Sequence, residues 1–212
     1  MTSLARRFLG MRGVHYLATR FGWKRLRALS FDEKFLRGDW SFADENPELV
    51  ALVENFAAHG HILALGCGGA AIASALDPSS FKSFLGIDLS QQAIGMARRR
   101  QTPTIKFDCG DMETHRCSRD YDVILFPNSL YYACSFSRKR LLQRLSKSLT
   151  RQGKIIVTIA QPKRYAGILD MIRKHFKVVV DRELSPSGGH VLVFSSAPVG
   201  IGKDSKISQQ PF

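Results

Sequence analysis

From residue 46 onward the sequence alternates strand and helix signals five times and then changes pattern. Asn46-Pro47-Glu48 is a helix start: an N-cap, a proline at the first helical position and an early acid, with the helix expected to run to about His59. The short apolar strand His61–Leu65 leads at once into Gly66-Cys67-Gly68-Gly69 and a small-residue helix over Ala70–Leu76. Phe84–Ile87, Thr104–Phe107, Asp122–Phe126 and Lys154–Ile159 read as further strands. Ser90 and Ser137 are expected to cap the helices between them, and another helix covers about Lys163–His175. Two last strands, Phe176–Glu183 and His190–Ser196, are then joined only by Leu184-Ser185-Pro186-Ser187-Gly188-Gly189. Six residues rich in Ser, Pro and Gly cannot hold a crossover helix, so these strands form an antiparallel hairpin. The expected fold is α/β, a parallel sheet with one reversed strand and helices on both faces.

Charge is uneven along the chain. Lys and Arg number 31 against 18 Asp and Glu, a net charge of +13, and both ends carry the excess while residues 41–150 are nearly balanced. The first 31 residues hold seven bases (Arg6, Arg7, Arg12, Arg20, Lys24, Arg25, Arg27) and no acid. Leu4, Phe8, Met11, Leu17 and Phe21 recur there at nearly helical spacing, interrupted by Gly10, Gly13 and Gly22. Three readings compete for this arm: a helix packed on the domain, a helix lying on an anionic membrane surface, or an Arg-rich targeting peptide. A basic surface suits nucleic acid, anionic lipid or a phosphorylated small molecule, and it also serves solubility alone. No apolar stretch approaches the length of a membrane span. Cys67, Cys109, Cys117 and Cys134 form no CxxC pair and do not cluster with histidine, so neither zinc nor a disulfide framework is expected, and a reducing, cytoplasmic setting is the simpler reading.

The strongest local signal is His61–Leu76, a strand running through glycines into a helix. At the carboxyl edge of a parallel sheet such a turn presents bare backbone to a ligand. Asp88 ends the next strand, where a carboxylate can accept both hydroxyl hydrogens of an adenosine ribose; it could equally cap the helix near Ser90. Gly66-Cys67-Gly68-Gly69-Ala70-Ala71 also satisfies GxGxxG/A, so a dinucleotide such as NAD must be weighed. Against it stand a second acid, Asp111, after the third strand, an aromatic run Leu130-Tyr131-Tyr132 after the fourth, and the closing hairpin.

These segments together resemble the class I S-adenosylmethionine (SAM)-dependent methyltransferases. The matching stretches are LALGCGG (63–69), GIDLS (86–90), CGDM (109–112), YDVILFPNSLYYA (121–133) and LTRQGKIIVTI (149–159), in the right order. The resemblance implies a Rossmann-like seven-stranded sheet with an antiparallel last strand. With the basic arm read above and the polar, aperiodic end after Pro198, the expected division is a basic helical arm or cap (1–40), a SAM-binding methyltransferase domain (41–197) and a flexible tail (198–212). Carried over by position, Gly66, Cys67 and Gly68 would hold the methionine end and ribose of S-adenosylmethionine. Asp88 would bind the ribose hydroxyls, Leu89 would pack on adenine, Asp111 would accept from the adenine amino group, and Met112 would add a backbone N–H and an apolar contact. Trp40 and Tyr132 would flank the acceptor's entrance. FDEKFLRGDW (31–40) and the LYY run look most like small bacterial members that methylate sugars or other small metabolites.

The chain departs from that pattern at Ala64, where many members carry an acid, at Ala70 in place of a third glycine, and at Pro127-Asn128 in place of an Asn-Glu pair. Alignment of the acceptor is the main task in methyl transfer, so a missing base need not abolish it. The candidate catalytic residues are Tyr132 and Asn128, with His190 as a further helper. Lys163 and Arg164 follow the fifth strand and read either as solvated charge or as attractors of an anionic acceptor. The expected partner is a small-molecule acceptor, anionic or a lipid-linked sugar, with peripheral membrane contact through residues 1–30. RNA-directed methylation through the basic ends is an alternative. It is disfavoured because Phe126-Pro127-Asn128-Ser129 lacks the Pro-Pro-aromatic turn of amino-directed base methylation and no RNA-binding module is visible. A SAM-binding regulator that has lost turnover is the other alternative.

Overall fold

Asn46 does cap its helix, its side chain accepting from the Glu48 N–H, and Pro47 opens α2 (Pro47–Ala57). The computed structural model describes residues 24–38, 46–185 and 189–195. The apolar spacing read at residues 4–21, Trp40, the Pro186–Gly188 bend and the tail from 198 lie outside the described residues.

Helix α1 (Lys24–Leu36) precedes α2. Then come β1 (His61–Leu65), α3 (Ala71–Ala75), β2 (Ser83–Asp88), α4 (Gln91–Ala97), β3 (Ile105–Cys109), β4 (Tyr121–Phe126), α5 (Arg138–Ser146), β5 (Leu149–Ile159), α6 (Ala166–His175), β6 (Lys177–Leu184) and β7 (Gly189–Ser195). The seven strands form one sheet in the order β3-β2-β1-β4-β5-β7-β6. Neighbours from β3 to β5 pair in parallel; β7 runs antiparallel to both β5 and β6, so it alone is reversed. Order reverses between β1 and β4, which opens a crevice at the carboxyl ends of those strands.

Alternation along the strands separates two cores. Ile62 and Ala64 of β1 face one side with Leu49 and Val53 of α2, Ile72 of α3 and Ile94 of α4. Leu63 and Leu65 face the other with Leu141 and Leu145 of α5 and Leu169 and Ile172 of α6. Both faces are therefore covered, which accounts for the nearly continuous apolar run of β4. Several boundaries moved from the sequence reading, among them the start of α6, which is Ala166 and not Lys163. Strand β5 begins at Leu149 and α5 ends at Ser146. Ser137 precedes α5 without capping it: its hydroxyl donates to Glu113 (2.7 Å) and to the Cys134 carbonyl (3.1 Å).

No helix among the described residues is long and apolar enough to cross a membrane, and no group of three or more metal-ligating side chains occurs among them.

Candidate functional site

Strand β1 ends in a loop fastened to its neighbour. The N–H groups of Gly66 and Cys67 both donate to the Ile87 carbonyl, at 2.7 and 3.1 Å. Gly66 takes φ +81°, a left-handed conformation that glycine adopts without steric cost. The glycine has a second reason. A Cβ on Gly66 would lie 2.3 Å from the Ser129 Cβ, and the Ser129 hydroxyl donates to the Leu65 carbonyl at 2.5 Å. The sequence reading gave Gly66 to a ligand; its immediate neighbour is the loop after β4. Cys67 turns inward and is buried, and burial pushes its thiol pKa well up, with nearby Asp88 adding to the effect.

Asp88 closes β2 and faces the Gly66 bend. One carboxylate oxygen accepts from the Gly68 N–H and the other from the Ser90 N–H, both at 2.9 Å. Burial raises its pKa, and the backbone N–H groups oppose the rise. Ser90 in turn caps α4, accepting from the Ala93 N–H. Asp111, after β3, accepts from the Glu113 N–H at 3.0 Å and from Arg27 at 2.9 Å. Arg144 of α5 donates to the carbonyls of Met112, Glu113 and His115, which fixes the segment carrying Asp111.

Gly66, Asp88, Leu89, Asp111 and Met112 line one cavity together with Tyr132. Cys67 and Gly68, next to Gly66 in the loop, do not line it. The cavity amounts to about 20 Å³, space for little more than one water, because α1 lies across it. Residues 27, 31 and 35 share one helical face at a spacing of four. Arg27, 3% exposed, pairs with Asp111 at 2.9 Å and Glu113 at 2.7 Å and also donates to the Tyr132 carbonyl. Phe31 meets the Tyr132 ring edge-on at 5.2 Å, and Phe35 reaches the Gly68 turn. Asp32 sits at the N-terminus of α4, accepting from the Ser90 hydroxyl (2.5 Å) and the Gln92 N–H (3.2 Å), a favourable place for a carboxylate. Arg27, Phe31, Asp32, Glu113 and Ser129 escaped the sequence reading. The spacing of Arg27, Phe31 and Phe35 was the available signal, hidden inside a run of bases.

The two candidate catalytic residues part company. Tyr132 lines the cavity; burial, reinforced by Tyr131 and Tyr165, pushes its hydroxyl pKa well above the ordinary value. Asn128 is exposed, lines neither this cavity nor its neighbour, and has a left-handed φ of +49°, a conformation asparagine tolerates. Its N–H donates to Thr158, joining the loop after β4 to β5. His190 is held by Asp181 at 2.6 Å, away from the cavity.

Residues 62–153 match the family described as a methyltransferase domain. Several solved structures share the fold. A TehB-like SAM-dependent methyltransferase from Corynebacterium glutamicum is 19% identical with a TM-score of 0.61, covering 80% of this chain and 97% of that one. The N-methyltransferase NodS from Bradyrhizobium japonicum, in complex with S-adenosyl-L-homocysteine, is 20% identical with a TM-score of 0.57, covering 73% and 90%. The CcbJ methyltransferase from Streptomyces caelestis is 15% identical with a TM-score of 0.58, covering 71% and 88%.

Proposed function

We propose that this chain, by its domain and fold a class I S-adenosylmethionine-dependent methyltransferase, moves a methyl group to a small-molecule acceptor, a saccharide or related metabolite that reacts through a hydroxyl or an amine. The observation that carries the cofactor assignment is the gathering of Gly66, Asp88, Leu89, Asp111 and Met112 around one cavity at the sheet edge. Two carboxylates, a bare backbone turn and two apolar side chains suit an adenosine: hydroxyls for one acid, an amino group for the other, and a flat ring for Leu89 and Met112. Arg27 and Phe31 must withdraw to make room, since they fill the same space.

Bound there, S-adenosylmethionine would supply an activated methyl group on a sulfonium. The chain's own part is to bind and align. Asp88 would accept the ribose hydroxyl hydrogens while it continues to pin the Gly68 turn. Tyr132 keeps its proton at neutral pH, so it acts as a wall and a hydrogen-bond donor and removes no proton from the acceptor. Asn128, exposed beside this edge, would orient the acceptor. The amine alternative draws support from NodS, an N-methyltransferase of the same fold.

Calorimetry with S-adenosylhomocysteine, paired with a methyl-release assay over a metabolite extract, tests this. Asp88→Ala should weaken binding by about 2–4 kcal/mol, since it strips two charge-assisted bonds. A loss of less than about tenfold refutes the ribose assignment. A catalytically impaired SAM-binding regulator is the second reading, supported by Ala64, by Asn128, which lines neither cavity, and by Tyr132, which keeps its proton. Cofactor binding without product across many acceptors would select it, and NAD binding in place of SAM would revive the dinucleotide reading.

A further inference from the structure

A second, larger cavity of about 250 Å³ opens at the same edge of the sheet. Its walls come from the segments after β4 and β5: Ser135, Arg138 and Lys139 on one side, Arg164, Tyr165 and Met171 on the other. β4 and β5 are adjacent and parallel, so the cavity stands beside the first one at their carboxyl ends. Aromatic rings bridge the two. Tyr132 of the first cavity contacts Tyr131 at 4.6 Å, and Tyr131 stacks on Tyr165 of the second at 4.4 Å and 5°.

The charge of this cavity is one-sided. Among the described residues three cations line it and no acid does. Among the described residues, none of the three forms a salt bridge, whereas Arg27, Arg37, Arg98, Arg173 and Arg182 all do. Arg138 is half-buried and donates to the Tyr131 carbonyl at 2.8 Å, yet its buried Nε has no hydrogen-bond partner among the described residues. Arg164 lies over the Tyr165 ring at 5.4 Å, and among the described residues its side chain has only a 3.5 Å hydrogen-bond contact, to Gln161. Like charges gathered in a concave site repel one another, and a partly desolvated guanidinium is costly when the acid acting on it, here Glu113 on Arg138, does so from beyond salt-bridge distance and already pairs with Arg27. A ligand oxyanion removes both penalties, because planar guanidinium forks match the oxygens of phosphate and carboxylate. Lys163, paired with Arg164 in the sequence reading, does not line the cavity.

We propose that the cavity formed by Arg138, Lys139 and Arg164 beside the Tyr131–Tyr165 stack is the anion subsite of the methyl acceptor, which is a small metabolite bearing a phosphate or carboxylate group. The subsite deepens the methyl-transfer reading and rests on it for the word acceptor. Gripping the anion on the β5 side leaves the rest of the molecule to extend along Tyr131 toward Tyr132 and the first cavity.

The experiment titrates the full chain with inorganic phosphate and, separately, with succinate at fixed ionic strength, and measures S-adenosylhomocysteine affinity alongside. One anion should bind, and its identity tells a phosphate acceptor from a carboxylate one. Arg138→Gln and Arg164→Ala should each weaken that binding about tenfold or more, the worth of a charge-assisted hydrogen bond. Arg99→Ala, an exposed cation elsewhere, should leave it unchanged. S-adenosylhomocysteine affinity should not change in any of the variants. Should Arg138→Gln fail to fold, the exposed Arg164→Ala decides alone. The proposal is overturned if neither anion binds, if the cavity variants bind as well as the parent, or if Arg99→Ala weakens binding equally. Failure of the parent chain to bind S-adenosylhomocysteine refutes the methyl-transfer reading, and with it the acceptor role, even where the anion still binds.

Discussion

Replacing Arg27 with methionine should unfold this chain more readily by about 3–5 kcal/mol, and the reason is on both sides of the ion pair. The Arg27 side chain is 3% exposed and its partners Asp111 and Glu113 are 5% and 16% exposed. Methionine keeps much of the length and apolar contact of the stem but removes the cation from two buried carboxylates. Some bonds survive: Asp111 retains the Glu113 N–H, and Glu113 retains the Cys134 N–H and the Ser137 hydroxyl. The Arg27 Nε already lacks a partner, so its removal returns part of the loss. The lower end, about 3 kcal/mol, is therefore expected. Equilibrium urea unfolding of the full chain measures it, with Arg37→Ala as the control. Arg37 pairs with Glu33 one turn away on the surface, and its loss should cost no more than about 0.5 kcal/mol. A lower midpoint at unchanged slope reports lost stability; a changed slope reports α1 leaving the surface. A loss below about 1 kcal/mol for Arg27→Met would show that α1 does not hold a buried ion pair over the cavity.

Two further outcomes follow from local geometry. Gly66→Ala places a Cβ 2.3 Å from the Ser129 Cβ at a φ of +81°, and should cost about 2 kcal/mol or more in the same assay, with Ser129→Gly recovering part of it; full stability would refute the close approach of the two loops. Asp181 accepts two bonds from Arg173 at 2.8 and 2.9 Å and one from His190, and these, Arg173 foremost, hold its carboxyl below the ordinary carboxylate range. A lowered native pKa stabilises the fold above the unfolded value, near about 4, and that contribution fades as acidification passes through the native value. Asp181→Asn should thus cost about 0.5–1 kcal/mol at pH 7, a partly exposed pair being screened by solvent, and the gap should close in acid. A gap that stays constant into strong acid would exclude the charge as its cause.

What could be read in the sequence was whatever rests on local pattern. Strand β1 came out residue for residue because an apolar run bounded by glycines leaves little choice. Asn46 and Ser90 were found as caps because their partners are two and three residues away. Ser137 looks identical in sequence and caps nothing, because Glu113, 24 residues distant, takes its hydroxyl. The cavity's acids could be found for a related reason: Asp88 ends β2 and Asp111 follows the end of β3, and topology alone brings neighbouring strand ends together. Arg27 could not, since charge patterning reports the sign of a residue and never its partner, here 84 positions away. Arg138, inside the run Arg-Lys-Arg, reads as surface for the same reason.

Under the proposed cofactor placement, Arg27 and the adenine amino group would compete for the Asp111 carboxylate, which gives a second readout with the opposite sign. An adenine amino group is a neutral donor, and its bond to Asp111 is weaker than the charge-assisted bond it would replace. Under that placement loading would be driven elsewhere, by the ribose at Asp88 and by burial of the ring on Leu89 and Met112. A ligand shifts such an equilibrium only by its differential affinity for the two states. Relieving Asp111 of Arg27 in advance removes part of what the ligand must displace. Arg27→Met should accordingly bind S-adenosylhomocysteine more tightly than the parent, by about tenfold if 1.4 kcal/mol of the ion pair is spared, while being the less stable chain in its absence. Calorimetry on the two chains compares them directly. Equal affinity would mean that α1 and the adenosine do not share the space, and weaker binding would make Arg27 a ligand contact in its own right.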